Sequence, residues 1–219
     1  MDDIVFLFDV DNTLLDNDRI QHDLDAHLAE SYDEATRKQY WSVFDGLWKT
    51  VGYADYIGAV AQTRLGAPHD LRLLKLASFL IDYPFADRLY PGALDAVSHV
   101  RQWGQVVVLS DGDAVYQPRK VERSGVWSAF GGEVLIFVHK ETELELVEKL
   151  YPARRYVLID DKPRILSAVK SAWGDRVATV LPRQGRFAND PARASYPPPD
   201  VEVAAIRDIV ALDRGAFSP

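Results

Sequence analysis

The sequence predicts an α/β protein: an open, doubly wound parallel sheet with an all-helical segment inserted after its first strand. Three observations predict it. Short apolar runs rich in β-branched and aromatic residues occur at 4–8, 106–109, 134–138, 156–159 and 177–181, and such continuous runs suit strands buried on both faces. From Pro91 onward these runs alternate with helical patterns, which implies parallel strands joined by right-handed crossovers. Between the first run and Pro91, strand signal is nearly absent and helical periods dominate. Residues 1–15 and 91–219 are therefore expected to form the α/β core, and 16–90 a separate helical unit.

The first strand, Ile4 to Phe8, runs without a break into Asp9-Val10-Asp11-Asn12-Thr13. A buried strand has no packing use for two carboxylates at its end, whereas the carboxyl edge of an open parallel sheet is where ligands bind. Asp9 and Asp11, two apart, share one side of an extended segment, and nearby carboxylates repel unless a cation or proton lies between them. Taken alone, these residues read either as a catalytic metal-binding pair or as a turn cluster, since Asp, Asn and Thr are common turn residues.

Four helices are expected in the insertion. Asp18 is a candidate cap for the first, through about Glu30, with Ile20, Leu24, His27 and Leu28 on one face. The second spans Asp33 to Val51, with Tyr40, Phe44, Leu47 or Trp48, and Val51 at three-or-four spacing. The third, Ala54 to Leu65, is closed by Gly66 and Pro68, and the fourth runs from Asp70 to Ile81. Trp41, Trp48, Tyr53 and Tyr56 either line a pocket or pack the small helical core, and burial statistics favour packing.

After Pro91 come a helix over 92–103, the strand Val106–Leu109 ending at Ser110-Asp111-Gly112-Asp113, and a helix containing Pro118 to Arg123. Next are the strand Val134–Val138 ending at His139-Lys140 and a helix over 143–150. The strand Tyr156–Ile159 ends at Asp160-Asp161-Lys162-Pro163, followed by a helix over 165–173 and the strand Val177–Leu181. Residues 182–200, with five prolines, read as loop, and 201–212 as a short edge strand or helix.

Composition narrows the function classes. The chain has 219 residues and no cysteine, which excludes disulfides, thiolate zinc sites and cysteine nucleophiles. Its net charge of −8, and 12 acidic against 8 basic residues within 16–90, offer no platform for nucleic acid or an anionic membrane surface. Asp2 and Asp3 stand where a signal peptide carries positive charge, and no apolar run reaches membrane-spanning length. A soluble cytoplasmic protein is expected.

The predicted strand ends converge on one sheet edge: Asp9 and Asp11, Ser110, Lys140, Asp160 and Asp161. Carboxylates without His or Cys suit a hard cation held by oxygen, which points to Mg2+. Magnesium takes few protein ligands and usually a phosphate oxygen as well, and a Ser and a Lys beside it complete a phosphate cradle. Lys120 competes with Lys140 as that lysine; its place in a helix favours a solvated face or a structural ion pair. Asp113 reads as a turn or cap residue; Arg119, Arg123, Lys162 and Arg164 read either as anion binders or, by default, as solvated or packed cations.

In order and spacing these residues resemble the haloacid dehalogenase-like hydrolase superfamily over nearly the whole chain. Asp9-Val10-Asp11-Asn12-Thr13 is similar to its first motif, Ser110 to its second, Lys140 to its third and Asp160-Asp161 to its fourth. The stretches Ser110-Asp111-Gly112-Asp113 with Gln117-Pro118-Arg119-Lys120, and Asp160-Asp161-Lys162, look like a bacterial branch of it. The helical insertion lies where that superfamily carries a helical cap. The resemblance implies a Rossmann-like core and an Mg2+-dependent phosphomonoester hydrolase acting on a small phosphorylated metabolite. It implies Asp9 as the nucleophile that forms an aspartyl-phosphate and Asp11 as the acid, then the base. Ser110 and Lys140 bind the phosphoryl group, with Thr13 and the backbone amides of Val10, Asp111 and Gly112 in lesser parts. Asp9, the Asp11 carbonyl, Asp160 and Asp161 hold the metal. A phosphomutase and a non-catalytic binding module are the alternatives; dehalogenation is disfavoured because that branch lacks the second acid, present here as Asp11.

Overall fold

A computed structural model describes residues 2–217, so Met1 and residues 218–219, at the ends of the expected core range, lie outside it. Six parallel strands form one sheet: β1 (Asp2–Phe8), β2 (Gln105–Asp111), β3 (Val134–Phe137), β4 (Ala153–Ile159), β5 (Val177–Pro182) and β6 (Val201–Val203). Their order is β3-β2-β1-β4-β5-β6, so the sheet grows outward from β1 in both directions. That is the Rossmann-like arrangement expected, and its switch point lies between β1 and β4.

Alternation along β1 builds two cores. Ile4, Phe6 and Phe8 face one side, where they pack with Ala96, Val97 and Val100 and the C-terminal Ile206, Ile209 and Phe217. Val5 and Leu7 face the other, against Val147, Ile165, Leu166 and Val169. Every residue of Ile4 to Phe8 is buried, as a central strand covered on both faces requires.

Four helices make up the insertion after β1: α1 (Asn17–Ser31), α2 (Glu34–Val51), α3 (Tyr56–Gly66) and α4 (Arg72–Asp82). They enclose their own apolar core of Ile20, Leu24, Leu28, Tyr40, Phe44, Tyr56, Leu73, Leu76 and Leu80. Asp16, not Asp18, caps α1, accepting from the Arg19 amide at 2.9 Å. The Asp18 carboxylate instead accepts from Asn12 Nδ2 and from the Arg186 amide, because the left-handed turn at Asn12, φ 62°, brings the entry to α1 back over the strand end. Asp33 and Asp55 cap α2 and α3 through the amides of Thr36 and Gly58.

The rest of the core carries α5 (Ala93–Val100), α6 (Tyr116–Arg123), α7 (Val126–Ala129), α8 (Leu144–Leu150), α9 (Pro163–Trp173) and α10 (Gly185–Ala188). The stretch 182–200 departs from the loop expected. It holds α10 and a 3-10 turn, Pro191–Ser195, capped by Asp190 through the Ala192 amide. Pro191 starts that turn rather than preventing it, since Pro fits the first helical position. Residues 201–212 divide into β6 and a 3-10 helix, Ile206–Ala211. Among the described residues no helix is long and apolar enough to cross a membrane.

The insertion meets the core at Gly52, which ends α2 in the left-handed conformation, φ 82°. A Cβ there would collide with the His139 ring. Gly52→Ala is expected to cost about 1–2 kcal/mol from the left-handed backbone and to displace His139. Urea unfolding and the His139 ring signals in NMR check this; unchanged stability would mean that the contact carries no constraint.

Candidate active site

The sheet register builds the site. Phe8 pairs with Ile159 of β4 and with Val108 of β2, so Asp9 and Asp160 emerge side by side, with Ser110 two residues beyond Val108 on the neighbouring strand. Two further ladder bonds fix the strand ends: the Asp9 amide donates to Ile159 O at 2.9 Å and the Asp160 amide to Val180 O at 3.1 Å. Thr13 Oγ1 accepts from the Asp161 amide at 3.0 Å, tying the first motif to the fourth.

Asp9, Asp160 and Asp161 are all buried, and each offers a carboxylate oxygen within 4.8 Å of the others. The Lys140 ammonium lies between two of them. It donates to Asp9 Oδ1 at 2.5 Å and to Leu109 O at 3.2 Å, and it stands 2.6 Å from Asp160 Oδ2. Asp111 Oδ1 accepts from the Lys140 amide at 2.8 Å, which anchors that lysine's backbone.

Burial pushes the Asp9 carboxyl up, but the Lys140 and Lys162 ammoniums outweigh it and hold Asp9 below the ordinary carboxylate range. Burial dominates at the neighbouring acids. Asp160 is pushed up to about 6, Lys140 pulling it back only in part, and Asp161 is raised further, with Asp160 and Asp9 repelling its charge. Burial opposes the Lys140 charge, yet Asp160, Asp9 and Asp111 hold its pKa well above the usual value.

Asp11 stands apart from this trio. Its carboxylate is held at both oxygens by Lys120 Nζ, at 2.7 and 2.9 Å. The same ammonium donates to Asn17 Oδ1 at 3.0 Å and lies over the Tyr116 ring at 5.1 Å. Lys120 is fully buried, so of the two roles expected for it the solvated face is wrong and the ion pair is right. Ser110 is buried and its Oγ accepts from Gln117 Nε2 at 2.9 Å. The Gly112 amide donates to Phe137 O at 2.9 Å; contrary to the expectation for it, that donor is spent on the sheet ladder.

Beside these groups a cavity of about 310 Å³ opens toward solvent. Asp11, Asp111 and Lys162 line its inner end; Trp48 and Tyr53 come from the insertion, and Arg186, Phe187 and Tyr196 from the stretch after β5. Thus Trp48 and Tyr53 face the cavity, while Tyr56 is buried in the helical core and Trp41 donates to Asp25. Sequence reasoning did not select Lys162, Gln117 or the 185–196 stretch. The first two stand inside the Asp160-Asp161-Lys162 and Gln117-Pro118-Arg119-Lys120 runs, where proximity to a motif was the available signal.

The donor set fits a divalent cation. Among the described residues, Asp9 Oδ2 and both Asp161 oxygens are buried without a hydrogen-bond partner, and Asp160 Oδ2 has only the Lys140 ammonium beside it, a costly arrangement unless a cation or protons answer them. Asp9, Asp11, Asp111, Asp160 and Asp161 against Lys120, Lys140 and Lys162 leave a formal charge of −2. All-oxygen donors suit magnesium.

No protein-family model and no curated protein matches the sequence. Among solved structures, a haloacid dehalogenase-like hydrolase of Burkholderia xenovorans LB400 is 54% identical, covering 97% of this chain and 100% of its own, with a TM-score of 0.93. The chain belongs to the haloacid dehalogenase-like hydrolase family. The fold extends to more distant proteins. A hydrolase of this family from Bacillus subtilis, bound to magnesium, is 17% identical with a TM-score of 0.62, over 96% of this chain and 98% of its own. The L-2-haloacid dehalogenase of Xanthobacter autotrophicus with chloropropionic acid covalently bound is 19% identical with a TM-score of 0.62, over 98% and 99%.

The raised acids give this hydrolase a pH signature. A carboxyl at about 6 when folded, against about 4 unfolded, favours the folded state below pH 4, and that contribution is lost as pH rises through about 6. Asp161 extends the loss in the same direction. A bound cation removes the repulsion that the lost protons expose. Magnesium at a hundredfold excess over Kd is therefore expected to raise Tm by about 5–10 °C at pH 8 and by much less at pH 5. Thermal-shift titrations check this; a shift that does not grow between pH 5 and 8 contradicts the cation site.

Proposed function

We propose that this hydrolase is an Mg2+-dependent phosphomonoesterase that acts on a small phosphorylated metabolite through an aspartyl-phosphate at Asp9. The observation that carries the reading is the trio of buried acids, Asp9, Asp160 and Asp161, whose unpartnered oxygens converge beside the Lys140 ammonium. Attack by a lone carboxylate on a carbon–halogen bond has no use for two further buried acids; a phosphoryl dianion bound through a metal does.

Asp9, Asp160 and Asp161, with the Asp11 backbone carbonyl, would hold the ion. When bound, magnesium supplies positive charge against the phosphoryl oxygens. Asp9 is ionised and oriented, with Oδ1 held by Lys140 and Oδ2 free of hydrogen bonds, as a nucleophile requires. Its oxygen bonds to phosphorus as the ester P–O bond breaks, and the Asp11 carboxyl donates its proton to the departing oxygen. Asp11 then takes a proton from the water that hydrolyses the aspartyl-phosphate. The Ser110 hydroxyl is fixed by Gln117, and its own proton has only a 3.3 Å contact with Asp111 O, so it is free to turn toward a phosphoryl oxygen. The Asp111 amide is a second donor. The helical insertion acts as the cap, presenting Trp48 and Tyr53 to the leaving group.

Aryl phosphates with magnesium are expected to be turned over, with Asp9→Asn lowering kcat at least about 10³-fold. Asp11→Asn is expected to slow alkyl phosphates more than aryl ones, because a poor leaving oxygen needs its proton more. Release of phosphate from an ester panel, alongside release of chloride from 2-chloropropionate, checks the class. Chloride release without phosphate release sinks the phosphatase reading.

A further inference from the structure

Three lysines surround the candidate site, and their ammoniums differ in one respect. Each has three N–H donors. Lys120 directs its three at the two Asp11 oxygens and Asn17 Oδ1. Lys140 donates to Asp9 Oδ1 and Leu109 O and forms an ion pair with Asp160 Oδ2 at 2.6 Å. Among the described residues the Lys162 ammonium makes no hydrogen bond: its nearest carboxylate oxygen there is Asp111 Oδ2, at 3.9 Å.

Yet Lys162 is held in place. Its amide donates to Asp160 Oδ1 at 2.8 Å, Pro163 follows as the first residue of α9, and the ammonium lies 5.9 Å from the centre of the Phe187 ring. The side chain is only 24% exposed, and it lines the inner end of the cavity with Asp11 and Asp111. A largely buried ammonium with unused donors, facing a cavity and flanked by acids, lacks an acceptor that a ligand can supply.

We infer that Lys162 donates hydrogen bonds to the substrate's phosphoryl oxygens alongside Lys140, whose ammonium also positions Asp9 and Asp160. The inference rests on the phosphatase reading and divides the cationic work of that site in a way the motif pattern did not. Lys140 shares its donors with Asp9 and Leu109. Lys162 reaches the same region with all three.

The test uses inorganic phosphate as the probe, in the magnesium-loaded enzyme, with an aryl phosphate as substrate. Lys162→Met is expected to weaken phosphate binding and to raise KM on the order of 10- to 100-fold, with kcat changed far less. Lys162→Arg keeps a cation with donors and is expected to restore most of the binding. Lys162→Gln serves for the same measurements where the methionine variant does not fold. A Lys162→Met enzyme that binds phosphate as tightly as wild type, with magnesium binding strengthened by loss of a nearby positive charge, assigns Lys162 to charge balance and overturns the inference. The inference also falls if phosphate binding is intact while only esters with a second anionic group lose affinity. Both outcomes leave the phosphatase reading standing, because wild type still turns over. Wild type that neither binds phosphate nor hydrolyses any ester overturns both.

Discussion

The Lys140 ammonium, wedged between the carboxylates of Asp9 and Asp160, is the contact on which the site depends. It joins the ends of β1 and β4, adjacent strands whose register already sets the two acids side by side. Removing a cation and two anions from water costs several kcal/mol per ion, and their attraction recovers this only with close geometry. The close geometry is present, and the Asp111 carboxylate secures the lysine's backbone. A methionine at 140 could fill the same space, but it would leave Asp9 and Asp160 to repel each other. The pair is explained by keeping Asp9 ionised in a buried place rather than by stability.

The second acid of the first motif is handled differently. Asp11 turns away from the metal-competent trio and lies against Lys120 and Asn17. Asn17 Nδ2 in turn faces Tyr56 Oη at 3.4 Å. A chain of polar contacts thus runs from the helical insertion, through α1 and α6, to the carboxylate proposed to move protons. Tyr116, from the core, packs on Tyr56 and Phe85 along the same boundary. The insertion and Asp11 are therefore mechanically joined, whereas the trio and Lys140 belong to the sheet edge alone.

Much of this was legible in the residue order. Apolar runs that end in Asp, Ser or Lys located the strands and the edge on which they finish, because a buried strand tolerates such residues only at its carboxyl end. The helices of the insertion followed from Tyr40, Phe44 and the leucines of α4. What was not legible depended on distance across the fold. Lys120 lies in a helix with the composition of a solvated face, and only the tertiary approach of Asp11 and Asn17 shows it to be buried. The cap of α1 fell two residues before the expected Asp18, since Asn12 and Arg186 claim that carboxylate. Lys162 carried no periodic signal, and its unused donors show only once every neighbouring acceptor is placed.

The stretch from Gly185 to Ser195, which the prolines disguised as plain loop, has a consequence for the diversity of such enzymes. Arg186 reaches across to Gln21 and stacks on Trp48, so this stretch and the insertion close over the cavity from opposite ends of the sequence. Neither contains a residue proposed as nucleophile, metal ligand or proton carrier. The outer walls can thus vary independently of the sheet edge: on the proposed function, substitutions at Trp48, Arg186, Phe187 or Tyr196 are expected to redirect the enzyme to a different molecule while the acids and lysines at the sheet edge stay as they are.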